Sequence, residues 1–291
     1  MALLFVIAGL FAYLATPRIR KAVGSAFGLL LIPLGPKRRK ITLDNLRHAF
    51  PEKDEKWHKK IMRESYKNLA ITMIELAGMR HFSDDYIKKI ITIEDMSIID
   101  KHSKKEKGII LLSGHYANWE FAAYFSGLLV NSPITMVVHP LKNLVINSMV
   151  NKRRGKHGGN VVPMRNAARN LVATLMNGGI VGLLADQSAT YDKDIYVNFF
   201  GRPCATFTAP AVLALRFRPA LLFGYSVRQK NGKYKLFIDE VPTDDLQNDA
   251  NGVEELTKRH VGMLEEVIRA NPGQWSWMHR RWKHTSKAPI Q

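Results

Sequence analysis

His115 and Glu120 stand five residues apart in Ser113-Gly114-His115-Tyr116-Ala117-Asn118-Trp119-Glu120. An imidazole and a carboxylate are residue types of general acid–base catalysis. On an ideal helix five residues turn through about 500°, which puts the two side chains on different faces. A turn between a strand and a helix removes that obstacle by folding the histidine back toward the first helical turn. Glu120 could then accept the proton on one ring nitrogen and fix the tautomer. The other nitrogen would be free to act as a general base on a hydroxyl. The spacing alone is a weak pattern, and it also describes a structural histidine capping a helix.

Other places could carry chemistry. Asp186 falls at the end of the apolar run Ile180–Ala185, so it and His115 can share one rim of a sheet. An Asp there also commonly caps a turn. Lys152-Arg153-Arg154-Gly155-Lys156-His157 could grip phosphate, because guanidinium forks match phosphate oxygens, though exposed basic runs are usually solvated and charge singles out no one residue. Gln274-Trp275-Ser276-Trp277-Met278-His279-Arg280-Arg281-Trp282-Lys283 alternates aromatic and basic residues. It could line a membrane surface, stack on nucleic acid, or form a packed terminal helix. Ser113 is near His115, but no Gly-x-Ser-x-Gly elbow supports a nucleophile. His157-Gly158-Gly159 and Asn177-Gly178-Gly179 lack the spacing of a phosphate-binding loop.

The elements that must position these residues are legible as alternation. Gly108–Ser113 reads as a buried strand, and Phe121 to Val130 as a packed helix after the motif turn. Strands follow at Ile134–Val138, Asn160–Pro163 and Ile180–Ala185, with helices at Asn143–His157, Ala167–Asn177 and Ala205–Phe217. Ala220–Val227 and Lys233–Val241 read as a hairpin about Asn231-Gly232, and Asn251–Ala270 as a closing helix. Upstream, Thr42 to Phe50 reads as a short helix stopped by Pro51, and Asp54–Met79 as one long amphipathic helix with Gly78 as a plausible C-cap. The expected fold is α/β, with a mostly parallel central sheet covered by helices on both faces. Ligands of such sheets bind at the carboxyl ends of strands, where His115 falls.

The 291 residues, 46% of them hydrophobic, suffice for one large domain. The formal net charge of +18 points to an acidic partner: nucleic acid, an anionic membrane or an acidic protein. The single cysteine, Cys204, excludes internal disulfides and Cys-based zinc sites. No histidines are paired at metal-ligand spacing, so no metal is expected.

Ala2 to Thr16 carries no charge, and Ala22 to Leu34 forms a second apolar run ending at Lys37-Arg38-Arg39-Lys40. A signal peptide would want positive charge before the first run. A buried core hairpin is a second reading, although two uncharged runs flanked by basic clusters are unusual for one. An N-terminal membrane-anchoring helical segment over residues 1–40 fits best, with its basic flank cytoplasmic, either crossing the bilayer once or lying in its interface. Residues 41–291 then form the catalytic domain.

Taken together, the motifs resemble those of bacterial lipid A biosynthesis acyltransferases, the late lauroyl and myristoyl transferases of the lysophospholipid acyltransferase superfamily. Residues 113–120 are similar to the family's His-x-Gly-Asn-Trp-Glu signature, with Ala117 where Gly is common. Thr42-Leu43-Asp44-Asn45-Leu46 with Ala49-Phe50-Pro51-Glu52, Ala185-Asp186-Gln187 with Phe199-Phe200-Gly201-Arg202-Pro203, and the Trp-rich C-terminal run match other family segments in order. The resemblance implies transfer of an acyl chain from an acyl carrier protein thioester to a hydroxyl of a glycolipid, without metal or cofactor. It implies His115 as general base, Glu120 as its orienting partner, Arg154 and Asp186 as substrate-binding residues, and backbone amides of the Gly114–Asn118 turn as candidate oxyanion donors. Arg154 would bind an acceptor phosphate. It further implies a bacterial inner membrane with the catalytic domain facing the cytoplasm. Rival readings are an acyltransferase of the superfamily acting on glycerol phosphate, an ornithine lipid or a mannolipid, and a membrane-anchored nucleic-acid-binding protein, which leaves His115 and Glu120 unexplained.

Overall fold

Short apolar runs rich in Ile, Val and Leu pair side by side here because both of their faces can be buried. The strands are β1 (Ile91–Ile93), β2 (Ile109–Ser113), β3 (Ile134–Val138), β4 (Asn160–Pro163), β5 (Ile180–Leu184), β6 (Ile195–Phe199), β7 (Arg202–Thr206), β8 (Ala220–Arg228) and β9 (Tyr234–Glu240). Seven of them form one sheet in the order β1-β9-β8-β2-β5-β3-β4. Every pairing in it is parallel except β8 with β9. The computed structural model describes all residues except 1, 96, 104–106, 122–123, 125–127, 129–133, 156–158, 165–166, 191–193 and 289–291. Much of the expected helix from Phe121 to Val130, and Lys156 and His157 of the basic run, lie outside the described residues.

The register places the site. β2 and β5 are neighbours, with Ser113 opposite Leu184. The residues that follow them, His115 and Asp186, therefore emerge at the same carboxyl rim.

The side chains alternate between two environments. Ile110, Leu112, Val181, Leu221 and Phe223 enter the main core, which also takes Ile61 and Tyr66 of the long helix. Ile109, Ile134, Met136, Ile180 and Leu222 form a smaller cluster on the other face.

The helices are α1 (Ala2–Leu14), α2 (Pro17–Leu34), α3 (Pro36–Ala49), α4 (Glu55–Gly78), α5 (Asp84–Ile90), α6 (Ser97–Ser103), α7 (Leu144–Arg154), α8 (Ala167–Met176), α9 (Ala209–Phe217) and α10 (Ala250–Ala270). Their starts follow capping chemistry. Asp54, Asn143 and Asp249 accept from Trp57, Ile146 and Gly252 backbone N–H groups at 2.7, 3.0 and 2.8 Å.

Several boundaries differ from expectation. α3 is longer than the helix expected from Thr42, so Lys37-Arg38-Arg39-Lys40 is helical and the helix runs across residue 40. The expected helix Ala205–Phe217 begins only at Ala209, because Arg202–Thr206 pairs with β6 in an antiparallel hairpin. Phe200 and Gly201 turn that hairpin with φ +52° and +70°, the two positive values that a tight two-residue turn demands. Gly78 is no C-cap: it has no positive φ, and a Cβ there would lie 2.6 Å from Ala12. It is a close-packing position between α1 and α4.

The N-terminal apolar runs dock on α4 through such small residues. A Cβ on Gly28 of α2 would meet the Tyr66 carbonyl at 2.6 Å, so only glycine allows this approach. The larger apolar side chains point away. Leu3, Leu4, Ile7, Leu10 and Leu14 of α1, and Phe27, Leu30 and Leu34 of α2, are exposed. Among the described residues no helix is long and apolar enough to cross a membrane, so the expected single crossing has no helix to carry it.

Arg20 of α2 is the exception to this apolar packing. It is fully buried, donates to the Ala12 and Ala15 carbonyls at 2.7 and 2.8 Å, bonds Tyr86, and lies 3.8 Å from Glu75. Glu75, equally buried, accepts from Tyr234 Oη at 2.5 Å and from Asn118 Nδ2 at 2.9 Å, and lies 3.4 Å from Arg228. One carboxylate thus neutralises two inward-facing cations and reaches the motif turn.

Candidate active site

The chain leaves β2 at Ser113 and re-enters helix at Trp119. Between them, Gly114 permits a close approach: a Cβ there would lie 3.2 Å from Asp186 Oδ2. Ala117 takes φ +44°, a left-handed conformation that costs a non-glycine residue energy. Its carbonyl is held by Thr72 Oγ1 at 2.8 Å and Asn68 Nδ2 at 3.2 Å. The Asn118 side chain caps the following helix by accepting from Phe121 N–H at 3.0 Å.

His115 and Asp186 meet at this rim. Asp186 Oδ1 accepts from His115 Nδ1 at 2.7 Å, and Oδ2 accepts from the His115 backbone N–H at 2.7 Å. Trp275 Nε1 donates to the same Oδ2 at 2.9 Å. Burial opposes the imidazolium, but the Asp186 charge and hydrogen bond outweigh it and raise the His115 pKa above the ordinary 6.5. Burial would raise Asp186, yet the charge and hydrogen bonds of His115, with Trp275, hold it down at about 2. With Nδ1–H donated to Asp186, the lone pair lies on Nε2. The Gln187 side-chain amide stands 3.3 Å from that nitrogen.

This geometry corrects one expectation. Glu120 is not the hydrogen-bonding partner of the His115 ring; Asp186 is. Both Glu120 oxygens are occupied by Arg154, with Nη2 at 2.5 Å and Nε at 3.0 Å. A carboxylate gripped by a guanidinium fork satisfies the geometry of both groups. The reason lies in the turn. Trp119 stacks edge-on against His115 with ring centres 5.0 Å apart, and the imidazole faces β5. Glu120 stays near enough for its charge to raise the imidazole pKa.

Arg154 also differs from its expected state, because its fork is filled by Glu120 and is not an open anion grip. The amides expected as oxyanion donors are largely committed as well. Those of His115, Tyr116 and Ala117 donate to Asp186, Gly114 and Gln274.

A cleft opens beside the motif with about 710 Å³ of free space, counting its mouth. It is lined by Ser113, Trp119, Glu120 and Arg154 and by sheet residues including Leu111, Met136 and Gly182. The lining is mostly apolar, as in small-molecule sites. Gly182 gives the sheet side its depth, since a Cβ there would only touch Ile134 and Met136 at 3.4 and 3.5 Å. Among the described residues no three His, Cys, Asp or Glu side chains cluster as a metal site.

The C-terminal aromatic–basic run is structural, and not a helix. Ser276 N–H donates to the His115 carbonyl at 3.1 Å, and Gln274 O accepts from Ala117 N–H at 2.8 Å. Trp275, Trp277, Trp282 and Arg281 are buried. Arg281 donates to Ala205 O at 2.7 Å and Thr206 Oγ1 at 2.8 Å of β7 and to Gln187 O at 3.3 Å, tying the segment after Asp186 to that strand. With those faces inside the core, stacking on nucleic acid loses its platform. His279 accepts from Ser188 N–H at 2.9 Å, and burial lowers its pKa to about 4, so it is a neutral fixture.

Trp275 and Gln187 are site residues whose role the sequence pattern does not show. Their one signal was position, next to Asp186 and inside an ordered motif.

A family model described as Bacterial lipid A biosynthesis acyltransferase matches residues 1–284. Three proteins of Escherichia coli (strain K12) are similar over most of their lengths. Lipid A biosynthesis palmitoleoyltransferase is 24% identical over 268 residues, 90% of this chain and 84% of that protein. Lipid A biosynthesis lauroyltransferase is 23% identical, with 90% and 84% covered. Lipid A biosynthesis myristoyltransferase is 22% identical, with 96% and 85% covered.

Proposed function

The chain belongs to the bacterial lipid A biosynthesis acyltransferase family and is an acyltransferase, and from that premise we propose that it moves a fatty acyl chain from an acyl carrier protein thioester to a hydroxyl of a lipid A precursor. The observation that carries this reading is the imidazole of His115, bonded by Asp186 at 2.7 Å and set beside an apolar cleft.

In the proposed reaction the acyl chain lies in the cleft with its thioester at the mouth. His115 Nε2 takes the proton of the acceptor hydroxyl as the oxygen attacks the thioester carbonyl. The new C–O bond gives a tetrahedral oxyanion. Collapse breaks the C–S bond, and the departing thiolate takes the proton from the imidazolium. Asp186 stabilises that imidazolium and holds the tautomer, so it takes the orienting role that Glu120 was expected to fill. Glu120 and Arg154 form the polar wall at the mouth. Gln187, nearest to Nε2, is the side-chain amide best placed to donate to the developing oxyanion.

The remaining features fit the same reaction. A formal charge of +18 suits an acidic carrier protein and an anionic lipid. The exposed leucines of α1 and α2 would lie in the interface of the inner membrane, with the catalytic rim on its cytoplasmic side.

The test is transfer by the purified full chain from acyl carrier protein thioesters to a tetra-acylated lipid A precursor, beside His115→Ala and Glu120→Ala. Wild-type transfer that collapses in His115→Ala, with the circular dichroism spectrum intact, is expected. Acylation of a glycerophospholipid in place of the precursor overturns the acceptor. Activity that survives in His115→Ala overturns the mechanism.

A further inference from the structure

Three cations converge on a second cleft that the acyl chain does not need. Arg80, just past the end of α4, and Lys152 and Arg153, in the last turn of α7, line it together with Phe5 of α1 and Val150. Its free space is about 560 Å³.

Among the described residues none of the three has an acidic partner within 4.0 Å, whereas the next residue, Arg154, has both edges of its fork filled. Other arginines of this chain are also matched, Arg259 by Asp245 and Arg269 by Glu265. Burial and the charge of Arg80 both weigh against the cation on Arg153. Like charges are thus held together without an acidic counter-charge among the described residues.

Helix ends explain part of this arrangement. A helix C-terminus carries about half a negative charge, so α4 and α7 together offset about one of three positive charges. The balance is about two, which is the charge of a phosphomonoester near neutral pH. Two guanidinium forks can donate to its oxygens bidentately. The apolar wall at Phe5, on the helix whose leucines are exposed, suits the tails of the same molecule.

We propose that the Arg80–Lys152–Arg153 cleft is the anchoring site for a phosphomonoester of the acceptor glycolipid. The proposal rests on the acyl-transfer reading above and names the part of the acceptor that is recognised away from the reacting hydroxyl. It moves the expected phosphate contact from Arg154, whose fork is occupied, to its neighbours. α7 would then present a phosphate grip on one side and the Glu120–Arg154 wall on the other.

The test is equilibrium binding of the tetra-acylated lipid A precursor in non-ionic detergent to the full chain, beside the same lipid stripped of its phosphates. Binding does not require turnover, so it separates this site from the transfer reaction. Wild type is expected to prefer the phosphorylated lipid at least tenfold, and Arg80→Gln/Arg153→Gln to lose that preference while circular dichroism is unchanged. In the transfer assay the double variant should raise KM for the phosphorylated acceptor about tenfold, with KM for the thioester unchanged. A wild type that binds both lipids equally, or binds neither, overturns the proposal, as does a double variant that keeps the preference. A double variant that loses only its retention on phosphatidylglycerol vesicles, with detergent binding intact, assigns the cleft to bilayer headgroups and also overturns it. Phosphate-dependent binding without any transfer leaves the site standing and removes the proposed reaction instead.

Discussion

Asp186 grips His115 at two points, its Oδ1 on the ring Nδ1 and its Oδ2 on the backbone N–H, each at 2.7 Å. One carboxylate therefore sets both the ring's tautomer and the turn that carries it. A raised histidine pKa means that the base form appears only at higher pH.

The acidic limb of the pH–rate profile should accordingly lie above 6.5 in wild type. Asp186→Asn removes the charge that raises it, so burial dominates and the limb moves to lower pH. The plateau rate should fall by about 10²–10⁴, as when a triad loses its carboxylate. Rate profiles of both forms decide the point, and an unmoved limb would separate Asp186 from the base. The stability signs are opposite for the two partners. The raised His115 contributes stability below its unfolded value of about 6.5, lost as pH rises through the folded value. The depressed Asp186 contributes above its unfolded value of about 3.9, lost as pH falls toward about 2. The pair stabilises most fully between those unfolded values.

Glu120 and Arg154 should behave as a unit distinct from that pair. Glu120→Gln is expected to cut the rate while moving the acidic limb less than Asp186→Asn does, because it does not bond the ring. A double-mutant cycle of Glu120→Gln with Arg154→Gln should show a coupling of about 1–3 kcal/mol in transition-state stabilisation. Arg154→Lys, which keeps the charge but loses the fork, should be nearly as damaging as Arg154→Gln. A limb displaced as far by Glu120→Gln as by Asp186→Asn would restore the orienting role to Glu120.

The cleft proposed for the acyl chain makes a specificity prediction. Gly182→Val or Gly182→Leu would push a side chain from the sheet into the space between Ile134 and Met136. Competition between thioesters of different chain length should then shift toward the shorter chain, with the rate on that chain largely kept. An unchanged preference would place the acyl chain elsewhere.

Glu75 bears on stability. Glu75→Gln leaves Arg20 and Arg228 buried without their carboxylate, which should cost about 3–5 kcal/mol. Denaturant unfolding measures it directly. Thr72→Val removes the Oγ1 bonds to the Ala117 and Asn68 carbonyls and the acceptor for Arg228 Nη2, so it should cost about 1–3 kcal/mol and also lower the transfer rate.

Most of the alternation from β2 to α10, the strand-end positions of His115 and Asp186, and the family were legible in the chain itself, because strand runs and their flanking turns are local properties, whereas the short β1, α5 and α6 were not. The Asn231-Gly232 hairpin was legible for the same reason, and Gly232 takes φ +82°. The β6–β7 hairpin was not, since Arg202–Thr206 lies in one apolar stretch with the helix that follows and only pairing with β6 separates them. The choice of Asp186 over Glu120 was beyond sequence reasoning too. Both carboxylates were visible, but which one meets the ring depends on the register of β2 with β5, on the left-handed turn at Ala117, and on Arg154 arriving from α7 to occupy Glu120. Trp275 reaches Asp186 from 89 residues away. Local pattern thus determined which groups the protein carries to the rim of its sheet. The pairing of charges there was decided by tertiary packing, because hydrogen bonds join whatever the folded chain brings within 3 Å of each other.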